Sequence, residues 1–220
     1  MNKFRLITLG FLATFLSSWI GLVLMPIITV GELQVARDPK TGEEILPHRT
    51  ALEERGKEVY ISMGCIYCHT QQVNPIRART DIERGWGTRR TIAADYVNEG
   101  RVLLGTMRGG PDLSTVGIRN PSESWHLLHL YNPRTTSPGS NMPPHRFLFE
   151  KRKIDGEKSP EALSLVGEFA VEEGYEVVPG PDAKALVAYL QSLKIGSYPV
   201  PGHERALIES VIETPKPKNK

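Results

Sequence analysis

The densest chemistry in this chain lies in Gly64-Cys65-Ile66-Tyr67-Cys68-His69, which holds the only two cysteines among 220 residues. A Cys-x-x-Cys spacing puts two thiols on one side of a tight turn. There they can form thioethers with the two vinyl groups of a haem, and the following His lies where it can ligate the iron. Two other chemistries use the same spacing. A thiol–disulfide oxidoreductase would set Cys65 and Cys68 in a βαβ context that the pattern does not offer. A structural zinc site would need a second pair of ligands, and no second cysteine pair exists. The segment therefore reads as the attachment site of one covalent haem c, with Cys65 and Cys68 as anchors and His69 as proximal ligand.

The second axial position has six candidates, Met63, Met107, Met142, His126, His129 and His145, or no protein ligand at all. Met142 stands out by context. It lies in Ser140-Asn141-Met142-Pro143-Pro144, where two prolines forbid a helix and stiffen the backbone. A thioether on such a loop suits a ligand that must stay in place. Met107 in Gly105-Thr106-Met107-Arg108-Gly109-Gly110 is second, and a histidine would make a bis-His site of lower potential. Gly110-Pro111-Asp112-Leu113 reads as a further haem-packing turn, in which the Pro111 carbonyl could accept a hydrogen bond from His69 Nδ1–H.

Several elements must position these groups. Ala51 to Met63 reads as a helix, with Leu52, Gly56, Val59, Tyr60 and Met63 recurring on one face and charges on the rest. Gly56 in mid-helix costs about 1 kcal/mol against alanine, which implies close approach of another helix. The expected partner is Asp182 to Lys194, with Asp182 as N-cap and Leu186, Tyr189, Leu190 and Leu193 as its apolar stripe. A short helix is expected from Ser122 to Tyr131, capped by Ser122, with Trp125 and Leu128 in the core. Between these lie a polar, arginine-rich stretch, Thr70 to Gly110, whose arginines (Arg77, Arg79, Arg84, Arg89, Arg90, Arg101 and Arg108) read mostly as solvated surface charges, with pairing to haem propionates or an acidic partner surface as the alternative for one or more of them, and an insertion over Glu150 to Glu173. The insertion holds the charged run Lys151-Arg152-Lys153 and an amphipathic segment, Pro160 to Val171.

The N-terminus carries Lys3 and Arg5 and then no charge from Leu6 to Val30. Those residues span roughly 37 Å as a helix, enough to cross a bilayer with some tilt. The run is longer than a signal-peptide core, and no small-residue cleavage site follows it, so it reads as a retained anchor with Pro26 near its end. The flanking cations keep the N-terminus cytoplasmic, and a bacterial periplasm would hold the rest. The balance of 27 Lys+Arg against 25 Asp+Glu gives no footing for nucleic acid. The expected organisation is an anchor over 1–31, a connector over 32–50 with turns at Asp38-Pro39 and Thr41-Gly42, a mainly α haem domain with long loops over 51–196, and a partly disordered extension over 197–220.

The chain resembles the membrane-anchored monohaem cytochrome c subunit (subunit II) of cbb3-type cytochrome c oxidases. The resemblance rests on the anchor, on Arg55-Gly56-Lys57-Glu58-Val59-Tyr60 running into the haem motif, and on Gly110-Pro111-Asp112-Leu113. It continues through Ser124-Trp125-His126, Leu130-Tyr131-Asn132-Pro133-Arg134, Asn141-Met142-Pro143-Pro144 and Ala185 to Leu193. It implies a class I cytochrome c-like domain, axial ligation by His69 and Met142, and Pro111 on the proximal side. It also implies a haem–copper catalytic subunit as partner, with electrons arriving from a dihaem cytochrome c subunit or a soluble cytochrome c. A free-standing membrane-anchored shuttle would share the same motifs.

Overall fold

The structure is a computed structural model; it describes residues 2–31, 33, 35, 37–38, 41–46, 48–75 and 80–196. Arg77, Arg79 and the expected C-terminal extension lie outside these. The chain divides into two compact units, Met1–Val35 and Ala36–Lys220.

In the first unit the chain is continuously helical from Lys3 to Val30. Helix α1 (Lys3–Trp19) starts at Asn2, whose side chain accepts from the Phe4 N–H. A π-type turn, Ile20–Leu24, leads into α2, Met25–Val30. Pro26 explains the π turn. Proline has no N–H and crowds the carbonyl four residues back, and widening the preceding turn relieves both. Lys3–Thr29 is long and apolar enough to cross a membrane.

The second unit is built on a crossed helix pair. Helix α3 (Ala51–Ser62) opens with a reciprocal capping box: Thr50 Oγ1 accepts from the Glu53 N–H, and the Glu53 carboxylate accepts from the Thr50 N–H. Two short helices follow in chain order, α4 (Val116–Arg119) and α5 (Glu123–Tyr131). Helix α6 (Pro181–Ser192) crosses α3. At the crossing there is no room for a side chain: a Cβ on Gly56 would lie 1.9 Å from the Ala185 carbonyl oxygen. Tyr60 and Tyr189 pack 5.5 Å apart beside it, both fully buried. Leu186, Val187, Leu193, Val59, Val116, Leu127 and Leu130 complete the core. Helix α4 is pinned to α6 in the same manner, because a Cβ on Gly117 would lie 2.1 Å from the Gln191 carbonyl oxygen.

The helix pair agrees with the sequence reading, but several details differ. Helix α6 begins one residue early, with Gly180 as N-cap and Pro181 in the first turn. Proline suits that position, since its missing N–H would have had no intrahelical partner. Asp182 is therefore inside the helix, and its carboxylate accepts from Arg55 at 2.9 and 3.2 Å. In α3, Leu52 and Met63 lie exposed while Lys57 is buried and paired with Glu99. In α5 Ser122 caps as expected, its side chain accepting from the Trp125 N–H. The buried positions of α5 are His126, Leu127 and Leu130 rather than Trp125 and Leu128.

The charged run Lys151-Arg152-Lys153, read as the start of an insertion, is a strand. It belongs to β1 (Phe149–Lys153), which pairs antiparallel with β2 (Tyr175–Pro179), Phe149 opposite Pro179 and Lys153 opposite Tyr175. Strand β2 is buried from Glu176 to Pro179 and β1 is largely exposed. The buried Glu176 carboxylate accepts from Arg152 at 2.8 Å and from the Ser159 N–H at 2.7 Å, which fastens the intervening segment to the sheet. Pro160 to Val171 is irregular apart from a 3₁₀ turn at Gly167–Phe169, with Leu163 buried. Residues 80–110 are also irregular, except for a 3₁₀ turn at Ala93–Tyr96.

Candidate haem site

Helix α3 delivers the cysteine motif. Gly64 ends the helix with φ +72°, a conformation that glycine adopts without strain. The chain then winds into a 3₁₀ turn, Cys65–Tyr67. The Cys68 and His69 N–H groups both donate to the Cys65 carbonyl, at 3.1 and 2.9 Å, so one compact turn holds all three side chains. Both thiols are free. Cys65 packs against the core, and burial pushes its thiol up to about 11. Cys68 is exposed. Among the described residues no three His, Cys, Asp or Glu side chains converge as a metal group, and the two strands there are antiparallel. Neither the zinc nor the thioredoxin-like reading gains a context.

His69 has one defined tautomer. Its Nδ1 lies 2.8 Å from the Pro111 carbonyl oxygen. That oxygen only accepts, so Nδ1 carries the proton and Nε2 keeps a free lone pair. Burial holds the imidazole below its usual pKa, against the Pro111 hydrogen bond and the charge of Asp112, and so favours the neutral ligand form. Gly110 makes the approach possible: a Cβ there would sit 2.3 Å from His69 Cε1.

Asp112 anchors this loop. It is fully buried. Its carboxylate accepts from Thr70 Oγ1 at 2.5 Å, from the Gln72 N–H at 2.8 Å and from the Ser114 N–H at 2.8 Å. Arg108 lies 3.5 Å away and also pairs with the buried Asp81. The reading of Arg108 and Arg89 as solvated charges is thus corrected. Arg89 is buried and grips Asp95 with two bonds of 2.9 and 2.8 Å. These two guanidiniums hold an irregular stretch in place, and such a stretch has few apolar contacts of its own. Arg84 and Arg101 are exposed.

His69 and Cys68 form part of the wall of a cavity of about 610 Å³, within the size range of small-molecule and cofactor sites. Leu113, Val116, Leu130 and Leu190 supply apolar wall, and Met142, Pro143, Trp125, His126, His129 and Arg119 also line it. Of the six axial candidates, Met142, His126 and His129 reach this cavity; Met63, Met107 and His145 are not among its lining residues, and Met107 is 63% exposed. Each of the two histidines is engaged through one ring nitrogen, as His69 is, and keeps the other. His126 Nε2 donates to the Asn120 carbonyl at 2.8 Å, and His129 Nδ1 lies 2.6 Å from Thr136 Oγ1. His129 also stacks on Trp125, with centroids 4.8 Å apart, and burial pushes its pKa down to about 4. Met142 is partly buried and packs against the hydrophobic core, and its loop is braced by Ser140 Oγ accepting from the Met142 N–H.

The lining brings Cys68, His69 and Met142 together with apolar side chains, a donor set that fits a haem, although Cys65 is not among the lining residues. Gly110 leaves the imidazole edge clear, and a Cβ on neighbouring Gly109 would still lie 3.9 Å from Cys68 Sγ. The sequence reading missed Arg119, at the end of α4, and the cavity role of Trp125. Neither has a local signal, because their place in the wall depends on how α4 and α5 pack against α6.

The chain matches the family model described as cytochrome c oxidase, mono-heme subunit/FixO over residues 4–179. The match ends before α6, so Ala185 to Leu193 lies outside it. No curated protein matches the chain. A match spanning the membrane-length helix, the cysteine turn and the Met142 loop shows that this chain belongs to the mono-heme subunit family of cytochrome c oxidases, and one haem goes with that membership.

Proposed function

We propose that this chain carries one haem c, attached through Cys65 and Cys68 and ligated by His69 and Met142, and that it relays electrons to the haem–copper catalytic subunit of a cbb3-type oxidase. The donor would be a dihaem cytochrome c subunit or a soluble cytochrome c. The bound haem supplies a one-electron iron couple; the protein's part is to hold it. Cys65 and Cys68 fix the ring covalently. Pro111 orients His69 and raises the basicity of the nitrogen left free. Met142, a weak soft donor, favours reduced iron and raises the potential. Held by both His69 and Met142, the iron would keep no open position for oxygen, whose reduction would fall to the partner. Helix α1–α2 anchors the chain once in a bacterial inner membrane, with Lys3 and Arg5 in the cytoplasm and the haem domain, with the 51–196 boundaries read from the sequence, in the periplasm.

The observation that carries the reading is the His69 Nδ1–Pro111 hydrogen bond of 2.8 Å, which frees Nε2 at a cavity that Met142 also lines. Met142→Ala tests it. The variant should keep a haem that survives denaturing electrophoresis, but with a lower reduction potential and an altered oxidised spectrum. An unchanged potential would remove Met142 from the ligand set. Recovery of the wild-type chain in mild detergent should bring the haem–copper subunit with it. Recovery of the chain alone would favour the free-standing shuttle.

A further inference from the structure

The loop that carries Met142 has an outer face that the proposed ligand set leaves unexplained. From Ser137 to Pro143 the chain walls the cavity, and Pro138, Gly139, Asn141, Pro143 and Pro144 are exposed. The loop is pinned from behind. The His145 N–H donates to the Leu130 carbonyl at 2.8 Å, which sets Arg146 and Phe147 beside the C-terminal end of α5. Arg146 lies over the Tyr131 ring, 5.4 Å from its centroid. Arg134 stands in the 3₁₀ turn that follows α5 directly, Pro133–Thr135. Both arginines are exposed, and Phe147 is 67% exposed. The sequence from Ser124 to Phe149 holds no Asp or Glu. Among the described residues neither guanidinium meets a carboxylate, whereas Arg49, Arg55, Arg89, Arg108 and Arg152 each do. An aromatic ring left in water beside two unneutralised guanidiniums, on a backbone stiffened by two prolines, has the composition of an interface rather than of ordinary surface.

We propose that this face is the docking surface for an acidic redox protein, with Arg134 and Arg146 meeting its carboxylates and Phe147 supplying the apolar contact. The inference rests on the monohaem reading and deepens it: the occupant is the electron donor, which loses one electron as the haem gains one. Charge selects it. Two exposed cations with no acid in their own segment attract a carboxylate-bearing surface, repel a basic one and speed the encounter. Arginine suits the task, because its planar fork meets both oxygens of a carboxylate. The composition also favours a transient visitor. Two arginines, one ring and a short loop are a small, polar patch, whereas permanent subunit interfaces are larger and more apolar. The loop that bears the patch is itself part of the cavity wall, so a donor seated there lies close to the site it must reduce.

The test uses the full haem-loaded chain in mild detergent as wild type, the double variant Arg134→Gln with Arg146→Gln, Phe147→Ser, and Arg101→Gln, which removes an exposed cation outside this segment. Two reductants serve as probes: reduced rubredoxin, a small acidic iron–sulfur protein, and hexaammineruthenium(II), a small cation. Stopped-flow absorbance follows haem reduction. With rubredoxin, the wild-type second-order rate should fall steeply as ionic strength rises from about 0.01 M to about 0.15 M. The double variant should be about tenfold slower at low salt, with a flattened salt dependence. Phe147→Ser should be slower with the salt slope kept, and Arg101→Gln should match wild type. Hexaammineruthenium(II) should reduce the double variant at least as fast as wild type. Equal rubredoxin rates and salt slopes in wild type and double variant overturn the proposal. So does a loss in Arg101→Gln as large as the double variant's, since net charge alone would then be acting. A double variant that no longer retains the catalytic subunit also overturns it, because the face would then be a permanent interface. If the double variant does not accumulate, the wild-type salt slope decides, and a rubredoxin rate that does not fall with salt overturns the proposal. A wild-type chain without haem would sink the monohaem reading itself; a loaded chain with unmoved rates sinks only this one.

Discussion

Gly110→Ala should disable the site, whereas the same change at the neighbouring Gly109 should not. A Cβ on Gly110 would lie 2.3 Å from His69 Cε1 and 2.8 and 2.9 Å from its two ring nitrogens. Ordinary contact begins near 3.4 Å, so the ring must retreat by about 1 Å. The Nδ1···O distance to Pro111, now 2.8 Å, would then stretch to roughly 3.8 Å, which is no longer a hydrogen bond. Losing that bond costs about 1 kcal/mol, and overpacking a well-filled site adds about 1–3 kcal/mol. For a domain of this size the sum lowers Tm by roughly 5–15 °C. Nε2 also leaves the position in which Pro111 holds it, so haem incorporation should fall with stability. A Cβ on Gly109 meets nothing closer than 3.9 Å and serves as the internal control. The assay is covalent haem per chain, by pyridine haemochrome, alongside thermal unfolding of the detergent-solubilised protein. Equal haem content and equal Tm for the two alanine variants would refute the reasoning.

Three further perturbations probe the frame. Gly56→Ala gains about 1 kcal/mol of helix propensity but places a methyl 1.9 Å from the Ala185 carbonyl oxygen; it should destabilise the domain by about 2–4 kcal/mol, and a Tm equal to wild type would mean that α3 and α6 do not cross this closely. Burial pushes the Glu99 carboxyl up, but Arg49 and Lys57 outweigh it and hold it below its ordinary value of 4.5. A lowered folded pKa adds stability above the unfolded value that is lost as pH falls through the folded one. Wild type should therefore exceed Glu99→Gln by about 2–4 kcal/mol at neutral pH, with the gap closing below pH 4.5 in denaturant titrations; a pH-independent gap would contradict the ion-pair account. Arg108→Met leaves the buried Asp81 and Asp112 without their shared cation and should cost about 3–5 kcal/mol. Adding Asp81→Asn should recover part of that loss, and strict additivity of the two changes would argue against the pairing.

What the sequence made legible was local. The Cys65–His69 spacing is fixed by covalent chemistry within one turn, and the α3 stripe and the Ser122 cap follow from helix period and hydrogen-bond valence. The close approach at Gly56 was legible as a cost needing compensation. What escaped depends on partners distant in sequence. Lys57 reads as a solvated helix charge because Glu99, its partner, lies beyond the haem motif. Phe149–Lys153 shows no strand alternation because β1 exposes its charged residues on both faces, and its pairing with β2 is set by the burial of Val177 and Val178. Arg119 carries no local signal, because its place in the cavity wall follows from the packing of α4 on α6.

The distribution of buried charge explains how a loop-rich domain can hold a ligand still. Between Thr70 and Ser114 the described chain has almost no regular structure, so the helix and sheet ladders that usually satisfy the backbone are missing. Side chains take over that work. Asp112 satisfies the N–H groups of Gln72 and Ser114, Asp81 that of Asn74, and Asp95 that of Ile92. Arg108 and Arg89 then neutralise the carboxylates and clasp main-chain carbonyls, Gln72 by Arg108 and Arg90 by Arg89. Some of these contacts are local, but those of Gln72 with Asp112 and with Arg108 join segments far apart in the loop. Local slackness therefore cannot accumulate along it. Pro111, the group that aims His69, follows directly from this lattice through Asp112. Under the proposed ligation, a slack loop would let His69 shift with each change of iron charge. A loop pinned by buried, fully engaged carboxylates resists that shift, and this is the physical property that an electron-relay site requires of its surroundings.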